Sequence, residues 1–98
     1  MGFRIGSSIF GSPNPQTSTL GQEIIQQHKP LTWSIPKLIA YRFSFMNSNS
    51  SCHIKLNGST DQIYLALGQG FESDMYDMEI WSFIIVEAGI IYNYVGGY

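Results

Sequence analysis

The residues most capable of chemistry are Cys52 and His53, which are adjacent in the sequence. A cysteine thiolate with a histidine base beside it is the pair that a nucleophilic enzyme uses. Successive residues of a strand point to opposite faces of a sheet, so these two side chains would not meet and His28 would have to act as the base. Because no residue that would activate the thiol can be named, we predict that Cys52 is a small buried side chain and that the protein is not an enzyme.

A second candidate is the acidic segment at residues 71–79, where carboxylates alternate with apolar side chains. The carboxylates belong to Glu72, Asp74, Asp77 and Glu79. Carboxylate oxygens are ligands for calcium, but this spacing does not match that of an EF-hand loop. The segment is also typical of a solvated loop, or of a protein contact because Tyr76 and other apolar residues lie among the acids. We predict no metal site and no cofactor, and we assign Tyr76 to an interface.

Aromatic side chains on strands could form a third kind of site, because exposed rings stack on the faces of sugars. The candidates are Tyr64, Trp81, Tyr92, Tyr94 and Tyr98. Aromatic residues on strands are also ordinary core material, so alternation would bury some of these rings. A glycan is therefore a predicted partner only in the alternative function, that of a carbohydrate-binding or host-attachment module.

The composition favours association with other chains. Charged residues make up 12% of the 98 residues, against a typical value of about 25%, and aromatic residues make up 14%. A globule of roughly 60 residues buries a small share of its surface and is marginally stable alone. The single cysteine excludes a disulfide within the chain, so oligomerisation is the favoured source of extra stability.

The charges are unevenly distributed along the chain. All five basic residues precede Leu56, and six of the seven acids follow it. This pattern is either chance or the mark of a subunit that packs its basic end against an acidic end of a neighbour. The basic residues form no cluster, and no apolar run approaches the ~20 residues of a membrane span. We therefore expect neither nucleic acid nor membrane as a partner.

Residues 1–36 are predicted to be an extended N-terminal arm and linker. The arm is rich in Gly, Ser, Pro, Asn and Thr, yet it carries apolar residues at Phe3, Ile5, Ile9 and Phe10. Such a segment cannot pack on itself and needs another surface to lie on. The linker contains Trp33, and residues 19–28 are interpreted as either a short helix that starts at a Thr19-x-x-Gln22 capping box or an extended strand.

Residues 37–98 are predicted to be an antiparallel β domain. Apolar and polar residues alternate in five segments, which is typical of strands with one buried face. The segments are residues 37–46, Cys52–Leu56, 62–67, 80–86 and 90–95. Asn57 and Gly58 predict a tight turn, and residues 87–89 predict a hairpin loop. The expected fold class is all-β, a small antiparallel meander or β-sandwich of about five strands, preceded by the extended arm.

The stretch from residue 52 to residue 98 resembles a small β-rich virion protein of tailed bacteriophages. The resemblance lies in the Asn57-Gly58 turn, the step at Gly70-Phe71, an apolar strand at residues 82–87 and the terminal run of tyrosines and glycines at residues 92–98. It implies a non-enzymatic structural protein that is made in the bacterial cytoplasm and resides in the virion, as a capsid decoration or as part of the neck or tail. The implied partners are other virion proteins and further copies of the chain.

Combining the arm, the acidic segment and the aromatic strands gives a set of residues that we predict to lie in interfaces. They are Phe3, Ile5, Ile9, Phe10, Trp33, Tyr76, Trp81, Tyr92, Tyr94 and Tyr98. The arm is expected to run across a neighbour, with its apolar residues as anchors and its backbone as an added strand.

Overall fold

The computed structural model describes residues 9–29, 38–73 and 78–98. In these ranges the chain forms nine short strands, one 3₁₀ turn and no α-helix. The strands are β1 Ile9–Gly11, β2 Gln16–Thr17, β3 Gln22–Glu23, β4 Arg42–Asn47, β5 Cys52–Leu56, β6 Ile63–Leu65, β7 Phe71–Ser73, β8 Phe83–Ile85 and β9 Ile91–Gly97. The 3₁₀ turn spans Gln26–His28. Every strand pair is antiparallel, so the predicted all-β fold class is confirmed.

The strands form two sheets, in which strands early in the sequence pair with strands late in it. In the first, here called the β9 sheet, the order is β1-β9-β4-β7, and β2 also pairs with β9. In the second, here called the β8 sheet, the order is β3-β8-β5-β6. The earliest strands therefore pair with the last strand, β3 with the next to last, β4 with β7, and β5 with β6. If β1 and β2 are taken as one interrupted strand, this is the eight-stranded arrangement of a jelly roll.

The alternation of side chains explains why the two sheets face each other. In β4 the rings of Phe43 and Phe45 are buried, and the residues between and beside them are more exposed. Both rings meet Phe83 of the opposite sheet, with centroid separations of 4.9 Å and 4.7 Å. Tilted aromatic pairs at this distance add to the stabilisation that comes from burying the rings. Phe83 is thus the point where the inner faces of the two sheets interlock.

The N-terminal segment corrects the predicted boundary between arm and domain. Residues 9–29 supply three strands and the 3₁₀ turn, and Phe10, Ile24 and Ile25 belong to the core of the chain itself. Phe10 packs so closely over β9 that a side chain in place of Gly96 would collide with its ring. Residues 1–8 and 30–37 lie outside the described residues.

Two further sequence predictions are changed by the topology. Residues 87–89 were expected to close a hairpin, but they connect β8 to β9, which belong to different sheets. The segment at residues 62–67 was expected to turn three apolar residues inward, but only Leu65 is buried, and Ile63 and Leu67 are exposed because β6 is an edge strand. The turn at Asn57 and Gly58 is confirmed, with φ values of 50° and 75°.

The capping-box prediction at Thr19 holds in its hydrogen bonds but not in the structure that follows it. The Gln22 side-chain oxygen accepts the Thr19 N–H at 2.9 Å, which is half of the reciprocal pair. The chain then enters β3 instead of a helix, because its next residues pair with β8.

We expect Phe10→Ala to lower the free energy of unfolding by about 3–5 kcal/mol, since it removes a buried ring and leaves a cavity. Ile9→Ala is the matched control, because Ile9 is on the same strand and 77% of its side-chain surface is exposed. The control should change the free energy of unfolding by less than about 0.5 kcal/mol. Urea denaturation monitored by circular dichroism measures both values. Equal effects of the two substitutions would contradict the placement of Phe10 in the core.

Candidate interaction surface

The outer face of the β9 sheet carries the most unusual set of exposed side chains. Four large apolar residues lie there, and their exposed fractions are 77% for Ile9, 43% for Met46, 37% for Ile91 and 51% for Val95. An antiparallel sheet with one face in water normally presents polar side chains on that face. Within the described part of the chain, nothing packs over these four residues, so we take this outer face as the candidate interaction surface.

The strand register places these residues on a regular grid. Gly11, Val95, Ser44 and Glu72 lie on one line across the four strands. The line next to it carries Ile9, Gly97 and Arg42, and the line on the other side carries Asn93 and Met46. The last line pairs Thr17 with Ile91. Three of these residues are small, namely Gly11, Ser44 and Gly97, and Gly97 is buried.

The charge on this face is low and balanced. Arg42 and Glu72 are its charged residues within the described ranges, and both are exposed. The ion pair found among the described residues, between His53 and Glu87, lies on the opposite side of the sandwich. Arg42 and Glu72 therefore have no ion-pair partner in the described part of the chain.

A shallow depression of about 250 Å³ marks the middle of the same face. It is lined by Ser12, Ser44, Met46, Asn93, Tyr94 and Val95. The corner between β1 and β2 forms one wall, and Ser12 holds it on β9: its N–H donates to the Tyr94 carbonyl at 3.0 Å, and its hydroxyl accepts the Tyr94 N–H at 3.1 Å. The wall is therefore fixed by hydrogen bonds that continue the sheet.

The outer face of the β8 sheet is more polar, although Ile84 of β8 lies on it opposite Lys55. Lys55 and His53 of β5 point outward, with Tyr64 of β6 directly across from His53. Tyr64 is 56% exposed, and its ring meets the His53 ring edge-on at a centroid distance of 5.5 Å. Charged and polar side chains on this face are what a solvated sheet requires. The contrast identifies the β9 sheet as the side that is suited to contact another protein.

The loop between β8 and β9 is fastened to β5 by a carboxylate. Glu87 accepts the backbone N–H of His53 at 2.8 Å through Oε1, and its Oε2 lies 2.6 Å from Nδ1 of the His53 ring. Burial acts to raise the pKa of Glu87, but the hydrogen bonds from His53 and from its own backbone N–H outweigh burial and lower that pKa. The carboxylate is therefore ionised at neutral pH and holds the start of the loop that leads from β8 to β9 against β5.

Two of the predicted sugar-stacking rings are in the core. Tyr92 and Tyr94 are 1% and 7% exposed, because the even positions of β9 point towards the other sheet. The Tyr94 hydroxyl accepts a hydrogen bond from the Gln27 side chain at 3.1 Å and lies 2.5 Å from Nε2 of His28. Burial lowers the pKa of His28 and raises that of Tyr94. The aromatic face predicted from the sequence is thus not formed by these residues.

The chemistry suggested by Cys52 and His53 is also not assembled. Cys52 is 1% exposed and faces the core, and the His53 ring points outward to Glu87. The pKa of the Cys52 thiol is raised to about 11, mainly by burial and to a smaller extent by the negative charge of Glu87. The thiol is therefore protonated at neutral pH and is a poor nucleophile.

The remaining predicted interface residues divide into three groups. Ile9 is exposed on the candidate surface, whereas Phe10, Tyr92 and Tyr94 are core residues. Trp81 and Tyr98 are half-buried. The predictions for Phe3, Ile5, Trp33 and Tyr76 fall outside the described residues.

Three residues of the candidate surface were not predicted from the sequence, namely Met46, Ile91 and Val95. The alternation of β9 contained the signal, since Ile91 and Val95 occupy the odd positions and the two buried tyrosines the even ones. Because both sets are apolar, the pattern identifies which residues share a face but not which face is buried.

The described ranges hold neither a metal-binding cluster nor a helix that could span a membrane. No group of three or more His, Cys, Asp or Glu side chains there is arranged to hold a metal ion. Residues 74–77 of the acidic segment lie outside the described residues. No helix of residues 9–29, 38–73 or 78–98 has the length and apolar character needed to cross a membrane.

Comparison with protein-family models, with curated proteins and with solved structures finds no match to this chain.

We expect alkylation of Cys52 by iodoacetamide at pH 8 to be at least about a hundredfold slower in the folded chain than in the urea-unfolded chain. A rise in the thiol pKa from 9.0 to about 11 lowers the thiolate fraction by this factor, and burial slows the reaction further. Mass spectrometry of timed samples measures the rates. Similar rates in the two states would contradict the buried, protonated thiol.

Glu87→Gln should make the free energy of unfolding less dependent on pH in the acid range. The folded pKa of Glu87 is lowered, so its contribution is present above the ordinary carboxyl pKa of 4.5 and is lost as the pH falls through the folded value. The variant should be less stable than the parent at pH 7 and should lose less stability between about pH 5 and pH 2. Urea denaturation at several pH values measures this, with Asp61→Asn, an exposed carboxylate, as the control. A parallel pH profile for Glu87→Gln and the parent would contradict a stabilising role of the hydrogen bonds between Glu87 and His53.

Proposed function

We propose that this chain is a non-enzymatic structural protein of a bacteriophage particle, where it assembles with other virion proteins and with copies of itself. The observation that carries the proposal is the outer face of the β9 sheet, with Ile9, Met46, Ile91 and Val95 exposed and little charge around them. A face of this kind on a small domain is suited to burial against another protein.

The fold supports the proposal by analogy. Jelly rolls serve as capsid domains and as lectins, so the topology is consistent with a particle component without specifying one. The resemblance of residues 52–98 to small virion proteins favours the first of these roles. The second role requires accessible rings, and burial of Tyr92 and Tyr94 removes two of the five aromatic residues on which it depended.

The chemistry of the described residues points in the same direction. The Cys52 thiol is buried and has a raised pKa, and the His53 ring is engaged by Glu87. These groups stabilise the sandwich and offer no activated nucleophile to a substrate. We therefore assign the exposed surface of the chain to protein contacts and not to catalysis.

The proposed assembly also assigns a different role to the N-terminal segment. Residues 9–17 complete the β9 sheet of the chain itself, so they are not free to run across a neighbour. What they offer to a partner is the side chain of Ile9, which adds apolar area to one corner of the candidate surface.

The chain should be present in purified particles of the phage that encodes it, and Val95→Asp should lower its copy number in those particles at least about tenfold, because a charge would be buried in an apolar contact. Tyr64→Asp is the matched control, since Tyr64 is equally exposed but lies on the outer face of the β8 sheet. Quantitative mass spectrometry of gradient-purified particles measures the copy number. Absence of the parent chain from the particles would overturn the proposed function. Equal loss by both variants would instead contradict the role of the β9 sheet.

A further inference from the structure

We propose that the outer face of the β9 sheet pairs with the same face of a second copy, about a two-fold axis that passes close to Val95. The inference names a partner for the assembly proposed above, and it rests on that function only for its setting, because a pair of copies can form in the purified protein. A two-fold contact requires a face that is complementary to itself, so that each residue meets a suitable residue of the other copy.

The two charged residues of this face are arranged so that a two-fold axis can exchange them. From Val95, Arg42 is one strand over and two residues along, and Glu72 is two strands over on the same cross-strand line. On a regular sheet lattice these offsets correspond to roughly 8 Å and 10 Å. Consider a two-fold axis that lies in the plane of the face, passes through Val95 and bisects the angle between Arg42 and Glu72. Because the two distances are similar, rotation about this axis exchanges the positions of the two residues. Arg42 of each copy then meets Glu72 of the other copy, so the pair contains two such contacts.

The same axis also brings exposed apolar residues of the two copies together. Met46 is one strand over from Val95 and two residues back, and Ile9 is one strand over on the opposite side and two residues forward. The operation that exchanges Arg42 with Glu72 brings Met46 to roughly 2 Å, measured along the face, from Ile9 of the other copy. Val95 then meets its own equivalent at the axis. One symmetry operation therefore pairs both charges and three of the four exposed apolar side chains.

The residues on either side of Val95 are small. Gly11 of β1 and Ser44 of β4 are its cross-strand neighbours, so no large side chain beside Val95 blocks the approach of an opposing face. The depression beside Val95 offers room for side chains of the opposing copy. The outer face of the β8 sheet has no comparable match, because His53 and Lys55 of β5 make it polar.

The extent of the face predicts how tightly two copies bind. Four strands and the seven residues of β9 span roughly 19 Å by 24 Å, so two copies would bury on the order of 900 Å². This is at the low end for a specific interface, and we expect a reversible pair with a dissociation constant near the micromolar range. In a particle, where many copies are held together, multivalency would increase the occupancy of the same contact.

A charge-exchange experiment tests the pairing directly. The dissociation constant of the purified protein is measured by sedimentation velocity over a range of concentrations at low salt, where exposed charges are least screened. Arg42→Glu and Glu72→Arg should each weaken the pair at least about tenfold, since each places like charges together twice. The double variant should return the constant to within about threefold of the parent, because the two charges have exchanged places. A double variant that is as weak as the single ones would overturn the proposal, as would a parent that remains a monomer at about 1 mM.

Cross-linking tests the position of the axis. Val95→Cys places two thiols on either side of the axis, so a short bismaleimide should link the two copies. Ile91→Cys is the matched control, since Ile91 is on the same strand and face but its equivalents would be roughly 24 Å apart along the face. The parent should not react, because Cys52 is buried. Equal cross-linking of both variants would overturn this axis.

These experiments separate the inference from the proposed function. A chain that pairs in solution but is missing from particles would retain the inference and overturn the function. A chain that is present in particles but fails the charge exchange would do the reverse.

Discussion

The structure depends on the pairing of its first strands with its last. Residues 9–17 bind to β9 across nearly the whole length of the sequence, and the hydrogen bonds between Ser12 and Tyr94 join residues 82 positions apart. Closing so long a loop costs conformational entropy, which burial of Phe10 must offset. β9 thereby becomes a central strand with β4 on its other side, and a central strand is what makes the candidate surface continuous.

Two side-chain amides, the buried Asn47 and the half-buried Gln26, hold the connections that this topology requires. The Asn47 side chain donates to the carbonyls of Ser50 and Ala66, both at 2.8 Å, and accepts the N–H of Gly70 at 3.1 Å. Gln26 does the same near the other end, where its side chain bonds both the N–H and the carbonyl of Leu38. Each amide replaces backbone partners that short strands cannot supply, so the chain satisfies its polar groups with little regular structure.

Local periodicity was sufficient to predict strands in the middle of the chain but insufficient to predict those at its beginning. Phe43 and Phe45 could be assigned to the core because their strand alternates over several residues. Strands of two or three residues, such as β2 and β3, are too short to show a period, and Pro and Gly beside them are typical of a loop. Phe10 was taken for an external anchor because the strand that buries it lies at the opposite end of the sequence, where no local pattern can indicate it. For β9, the alternation separated two apolar faces, and only the position of the second sheet decides which one is buried.

The correction at the N-terminus strengthens the case for assembly. If residues 9–29 had been a free arm, contacts of its apolar side chains with a neighbour could have explained why the sequence has so few charged residues. Because Phe10, Ile24 and Ile25 are already buried in the fold, they do not account for the apolar residues that stay exposed on the outer face of the β9 sheet. A soluble sandwich that needed only its own core would tolerate polar residues at Met46 and Val95, as it does at His53 and Lys55 on the other sheet. The difference between the two outer faces is therefore better explained by contact with a partner than by the requirements of folding.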